Sequence, residues 1–350
     1  MTNNPYRNVG SHQFWRTAVT GVERFRYDPV TATRFTISPG DRIATGGSCF
    51  AQHISNRLSK IGFNYFITEA GCHLSVDQRR PKGYGVFSCR YGNIYTSRQL
   101  LQLFQECFEG REHAEAAWLR ADGRYVDALR PQIDPDGFAS IQAVRDERRV
   151  HLDAVRRMFT ECDVFVFTLG LTETWRSLAD GTVYPLAPGV SGGSFDESLH
   201  AFVNLDIHDV LSDLNTFLAG LKRVNPSVRV LLTVSPVPLI ATYENRNVLV
   251  ATSYSKSVLR VAADMAYRTF DWVDYFPSYE IITGSYTNSV YYEDDYRGIR
   301  DTGVDHVMRC FLRHYANIGA IPALPAGLEQ NAGGANDIVC DEEAIDQVRI

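Results

Sequence analysis

The chain has 350 residues, 45% of them hydrophobic and 22% charged, with a formal net charge of −6. It can therefore bury a sizeable core in one or two domains, and no basic face offers itself to nucleic acid or anionic lipid. The apolar runs "VFVFTLGL" and "VRVLLTV" are too short to span a bilayer, the opening lacks an apolar signal stretch, and the seven cysteines are scattered without a C-x-x-C pair, so we expect a cytoplasmic protein with neither a disulfide framework nor a thiolate zinc site.

In chain order, residues 1–37 read as an N-terminal extension. "DRIATGG" is a short buried strand and "CFAQHISNRLSKIG" the helix that follows it; "FNYFIT" reads as the next strand and "TSRQLLQLFQECF" as a helix capped by Thr96 or Ser97. Residues 110–143, rich in Gly, Asp and Pro, form an excursion from the core. "RDERRVHLDAVRRMFTEC" is an amphipathic helix, "DVFVFTLG" a buried strand, "IHDVLSDLNTFLAGLKRVNP" a long helix and "VRVLLTVSPVPL" another strand. "SKSVLRVAADMAYR" continues as helix, "FDWVDYF" as a last short strand and "TGVDHVMRCFLRHYA" as a terminal helix, before an acidic tail at 321–350 read as flexible. Strands alternating with helices predict one α/β domain over 38–320, with a mostly parallel sheet covered on both faces.

In such a sheet ligands bind beyond the carboxyl ends of the strands. Three unusual stretches fall there: "GGSCFA" with Ser48, "GLTETW" with Gly170, Thr172 and Glu173, and "SPVPL" with Ser235. Ser48 opens a helix, where it is either a nucleophile beside backbone N–H groups or a plain N-cap. Cys49 is a second candidate nucleophile. Asn93 in "YGNIYT" is a turn residue or an oxyanion donor, Ser255 and Lys256 open a helix where Ser255 caps and Lys256 can hold an anionic group, and Tyr279 follows the last strand into the same crevice. No metal spacing and no cofactor motif is present.

"GSCFA" at 47–51 resembles the defining motif of the GSCFA family, distant relatives of the SGNH (GDSL-like) hydrolases. The segments "YGVFSCRYGNIYTSRQLLQLF", "TLGLTETW", "LLTVSPVPL", "SYSKSVLR" and "DYFPSYEI" resemble the same family. The resemblance implies a three-layer α/β/α sandwich, flavodoxin-like, in which Ser48 attacks an ester carbonyl. It implies oxyanion roles for Gly92, beside Asn93, and for Thr172, which stands where the relatives' G-x-N-D block has asparagine; Gly170 and Glu173 stand at that block's glycine and aspartate. The relatives' D-x-x-H has no counterpart in "YYEDDYRGIRDTGVDHVMRCF"; His306 is the nearest histidine, with Asp294 or Asp295 to orient it. The expected activity is hydrolysis or transfer of O-acyl groups, O-acetyl among them, on a carbohydrate or polysaccharide precursor. The alternative is an inactive SGNH-like module that binds a glycan or a protein.

Overall fold

The structure, a computed structural model, describes residues 4–316 and 340–347. Its elements run β1 (Ile43–Gly47), α1 (Ala51–Lys60), α2 (Val76–Arg79), α3 (Ser97–Phe108), β2 (Ala117–Leu119), β3 (Tyr125–Asp127), α4 (Ile141–Glu161), β4 (Val164–Leu169) and β5 (Glu173–Ser177). They continue with β6 (Val183–Tyr184), β7 (His200–Asn204), α5 (Ile207–Val224), β8 (Arg229–Val234), α6 (Val248–Thr269), β9 (Val273–Tyr275), α7 (Ser278–Thr283), α8 (Asp301–Tyr315) and α9 (Glu343–Gln347).

Four strands, in the order β1-β4-β8-β9 and all parallel, make the central sheet. β1 and β4 are buried along their whole length, which is why they read as continuous apolar or small-residue runs rather than alternating ones. The strand period of two divides them between layers: Phe165, Phe167 and Leu169 pack with α3, α4, α5 and α6, while Val164 and Val166 face Phe50 in the turn before α1, Ile54 and Leu58 of α1, and Val304, Val307 and Phe311 of α8. The result is a three-layer α/β/α sandwich.

"FNYFIT" does not become a strand. It touches β1 at one bridge, Ile43 with Tyr65, because further along that edge the backbone of Thr45 is taken by side chains: Ser88 Oγ accepts from its N–H and the Tyr91 hydroxyl donates to its carbonyl. The 110–143 excursion contains the β2–β3 hairpin, and β5 centres a small antiparallel sheet, β6-β5-β7, which strand alternation alone does not reveal. The N-terminal extension is tied to the α8 side: Ile37 N–H donates to Tyr315 O (2.6 Å) and Arg34 N–H to the Asp274 carboxylate (2.8 Å). Within 321–350, residues 340–347 are described and lie against the carboxyl end of the sheet; residues 317–339 and 348–350 lie outside the described residues. No helix among the described residues is long and apolar enough to cross a membrane.

Candidate functional site

β1 ends in a conformation only glycine fits. Gly47 has φ +128°, and a Cβ there would collide with the backbone of Thr168 in β4. Ser48 N–H then donates to Thr168 O (3.1 Å), one rung beyond the strand, and the chain turns at once into α1 through Ala51 N–H to Ser48 O (2.9 Å) and Gln52 N–H to Cys49 O (3.0 Å). Ser48 therefore sits on a sharp strand-to-helix turn. Its Oγ is buried and has no hydrogen-bond partner among the described residues, so it is not acting as a cap. With its N–H committed to Thr168, Ser48 also does not supply the backbone donor that an oxyanion hole would take from it in this arrangement.

Three strand ends meet here. Ser48, Gly170 and Ser235, which follow β1, β4 and β8, line one small pocket with Cys49, Tyr95, Lys256 and Glu342. Gly170 is pressed in by two N–H bonds to Tyr95 O, its own (3.0 Å) and that of Leu171 (3.1 Å). A Cβ on Gly170 would lie 3.0 Å from Ser48 Cβ, so this glycine permits the close approach. Ser235 N–H extends the β4 ladder at Leu169 O (2.8 Å), and its Oγ accepts from Val237 N–H (3.3 Å).

The other expected residues separate from this pocket by varying degrees. Gly92, with φ +69°, and Asn93 line an adjoining cavity, where Asn93 Nδ2 donates to the Asp341 carboxylate (3.1 Å) and its Oδ1 accepts from Gln52 (3.4 Å). Thr172 faces away: its N–H donates to Ser255 Oγ (3.0 Å) and its hydroxyl to Asn204 (2.6 Å), tying β5 to α6 and β7. Glu173 accepts from the Thr242 hydroxyl (2.6 Å) and Tyr243 N–H (3.3 Å), and burial raises its pKa. Tyr279 is half-buried against the α6-side core.

His306 is not brought to Ser48. It lies in the core under α8, with Nε2 at Tyr27 O (2.6 Å) and Nδ1 against the Tyr291 hydroxyl, both ring nitrogens engaged. Burial lowers its pKa, as expected for a neutral structural imidazole. Asp294 is fully exposed and pairs with Arg300 (2.7 Å), while Asp295 accepts from Arg297 N–H (2.8 Å) and Gly298 N–H (2.9 Å) to close a turn. The apolar stripe Val304, Val307, Met308 and Phe311 explains the placement, since it carries His306 into the core with it.

Two contributions to the pocket differ from the sequence reading, which placed Lys256 near the crevice but at a helix start. Lys256 does not open a helix: α6 begins eight residues earlier, at Val248, with Asn247 as its cap. Ser255 instead accepts from Thr172, and Lys256, 3% exposed, points its ammonium at Gly170 O. Burial pushes the Lys256 pKa down to about 8. The signal was the polar pair Ser255-Lys256 inside an otherwise apolar helical pattern. The second contribution is the C-terminal segment, whose Cys340, Asp341 and Glu342 are all buried. Arg297 holds Glu342 (2.8 Å), yet burial still lifts that carboxyl to about 7; burial lifts Asp341 to about 6.

Beyond Leu171, Leu239 and Glu342 the pocket continues into a groove of ≈ 670 Å³. Trp175, Phe202 and Tyr243 pack edge-on or tilted along it, with ring centroids 4.7–5.7 Å apart. Taken together, the site offers a buried serine hydroxyl, a buried lysine with a lowered pKa, an asparagine amide in the adjoining cavity and an aromatic approach. No curated protein matches the chain. The segments that build this pocket, from the turn after β1 to the serine after β8 and the lysine of α6, all fall within residues 42–311, the stretch matched by the model of the GSCFA family, and the chain belongs to that family.

Proposed function

We propose that the protein is a serine hydrolase or acyltransferase acting on O-acyl esters, O-acetyl among them, of a carbohydrate or polysaccharide precursor, with Ser48 as nucleophile. The observation that carries this reading is the Ser48 hydroxyl itself, buried on a strand-to-helix turn without a hydrogen-bond partner among the described residues. Leaving such a group unpaired costs about 1–3 kcal/mol, a cost that makes sense where the hydroxyl is kept for a reacting partner.

A serine hydroxyl needs a base. Lys256 fills that role in this reading: burial makes its neutral form accessible near pH 8, its ammonium is held at Gly170 O, and it lines the same pocket as Ser48. Ser48 attacks the ester carbonyl, Lys256 takes its proton and returns it to the departing alkoxide, and water or a sugar hydroxyl then collects the acyl group. The family resemblance assigns the oxyanion to Gly92 N–H and the Asn93 amide; both line the cavity adjoining the Ser48 pocket, and in this role Asn93 exchanges the Asp341 carboxylate for the oxyanion. The sugar rests on the family resemblance and on the aromatic groove of Trp175, Phe202 and Tyr243, whose faces suit pyranose rings. Seven unpaired thiols agree with a cytoplasmic setting.

A second reading, an inactive module that binds a glycan or a protein, is favoured by the same groove and by the placement of His306 away from Ser48. A fluorophosphonate ester probe separates the two. Labelling of the wild type that disappears in Ser48→Ala, with the melting temperature little changed because the hydroxyl makes no bond, supports the enzyme. Labelling that survives Ser48→Ala and vanishes in Cys49→Ala moves the nucleophile to the thiol, and no labelling at all leaves the binding module.

A further inference from the structure

We infer that the C-terminal segment 340–347 is an autoinhibitory plug, which lies in the Ser48 crevice in the manner of a substrate and has to leave before an ester can enter. The consequence for activity rests on the reading of Ser48 as nucleophile; the closure of the crevice does not.

Three successive parts of the site each receive a side chain from this segment. Asp341 lines the cavity of Gly92 and Asn93, Glu342 lines the small pocket of Ser48 and Lys256, and Ile345 lines the aromatic groove beyond. The seat is specific. Asn93 Nδ2 donates to the Asp341 carboxylate (3.1 Å), Asp341 N–H to the Tyr95 hydroxyl (3.1 Å), Gln132 Nε2 to Asp341 O (3.5 Å) and Arg297 to the Glu342 carboxylate (2.8 Å). All four partners are distant in sequence. Asp341 and Glu342 are buried by these contacts, whereas the next acidic residue, Glu343, is exposed.

These contacts stand where a reacting ester would make its own. Asn93 holds a carboxylate on the amide assigned to the oxyanion, so an anion already fills the place where charge would develop in the reaction. Ser48 is 2% exposed, yet a nucleophile has to come within about 3–3.5 Å of the carbonyl carbon. Something that covers it therefore moves before an ester arrives. The rest of the lining is built into the fold: Ser48 and Ser235 extend the ladders of the central sheet, Gly170 N–H is bonded to Tyr95 O, and Lys256 lies in the middle of α6. Each of the four bonds that seat 340–347, by contrast, has a side chain at one end or both, and such a segment can open while the sheet and its helices stay intact. It also lies outside 42–311, the stretch matched to the family, as expected of a cover added to a common site.

The test uses the full chain in three forms: the wild type, the double variant Asp341→Ala/Glu342→Ala, which loses both carboxylate bonds, and Glu343→Ala, which loses an exposed charge of the same segment. Two rates are followed by peptide mapping. One is fluorophosphonate labelling of Ser48; the other is alkylation by N-ethylmaleimide of Cys49, which lines the same pocket and reports its opening whatever Ser48 does. Cys162, buried in the core at the end of α4, is the reference for unfolding. Both rates should rise at least about tenfold in the double variant, the order expected when two hydrogen bonds to charged groups no longer hold the closed state, with Glu343→Ala at the wild-type rates and Cys162 protected throughout. Equal Cys49 rates in the wild type and the double variant overturn the inference, as does an equal rise in Glu343→Ala. A rise that Cys162 shares overturns it too, since the segment would then be holding the core together rather than covering a site. If Cys49 is unmasked and no form labels at Ser48, the closure stands and the esterase reading fails; if the wild type labels at Ser48 as fast as the double variant and Cys49 is not unmasked, the reverse holds.

Discussion

Two buried polar clusters lie within this fold and behave in opposite ways. In the first, where α3, α4 and β3 meet, Arg148 binds both Asp127 (2.9 Å) and Glu106 (2.6 Å), Arg130 binds Asp127 (2.8 Å) and Glu147, and His151 binds Glu69 (2.7 Å). Burial raises the carboxyl pKa values there, but the guanidinium and imidazole partners overrule it: Asp127 and Glu106 end below their ordinary values and Glu69 falls to about 2. In the second, around Ser48, burial wins. Lys256 drops to about 8, Glu342 climbs to about 7, and the serine hydroxyl has no partner among the described residues. Burial acts in both clusters, so burial does not separate structure from function; in the first the counter-charges outweigh it, whereas in the second Lys256 has no ion pair among the described residues and the Arg297 bond leaves Glu342 raised.

The sharpest way to break this comparison is Lys256→Met. If the crevice is catalytic, the variant loses about 10²–10⁴-fold in kcat/KM for an acyl ester, the usual contribution of a general base. The wild-type rate should rise through an ionisation near pH 8, where Lys256 becomes neutral, and the variant should lack that rise. Stability should rise with pH over the same limb. Because folding lowers this pKa from 10.5 to about 8, the unfolded chain binds the proton more tightly, so wild-type stability increases between those two pH values and that of the variant does not. A pH-independent rate in both proteins removes Lys256 from the chemistry.

Arg148→Met tests the other cluster. It strips the shared partner from Asp127 and Glu106 and should cost about 3–5 kcal/mol in chemical denaturation, with ester hydrolysis intact below the lowered melting point. The same cluster sets the acid limb. The folded pKa of Glu69 is depressed from 4.5 to about 2, so its contribution is present above 4.5 and is lost as pH falls through about 2. A stability curve flat across that window would show that the ion pairs contribute little.

His306→Gln has the smallest expected effect. Losing the bonds to Tyr27 O and the Tyr291 hydroxyl should destabilise by about 1–3 kcal/mol, and the pH–rate profile should keep its shape. A lost ionisation near 6–7 would instead return His306 to the catalytic machinery.

The convergence of Ser48, Gly170 and Ser235 was legible because it follows from topology: in a parallel sheet the residues after successive strands share one edge. Thr172 stands only two positions beyond Gly170, yet the turn into β5 points it at Asn204 and Ser255, a rotation that spacing does not encode. The role of Ser255 and Lys256 was obscured by where α6 begins. "NVLVATSY" carries exposed Val248, Leu249 and Val250, so its apolar pattern gives no clear start, and the polar pair looked terminal when it is central. The C-terminal segment was legible only as acidic and polar. Its partners Asn93, Tyr95 and Arg297 lie far off in sequence, and nothing local in "CDEE" announces them.

The strap formed by the N-terminal extension changes how the molecule can be cut. A fragment trimmed to 42–311 would omit Tyr27, whose carbonyl receives His306, and Arg34, whose N–H and guanidinium hold Asp274 and the carbonyl of Val273 at the end of the sheet. It would also shorten α8 before Tyr315, which bonds Asp274 (3.0 Å) and completes the aromatic stack on Phe311 and Phe276. The boundary of the shared sequence is therefore not a boundary of the folding unit, and a minimal fragment that keeps these contacts begins before Tyr27 and ends after Tyr315.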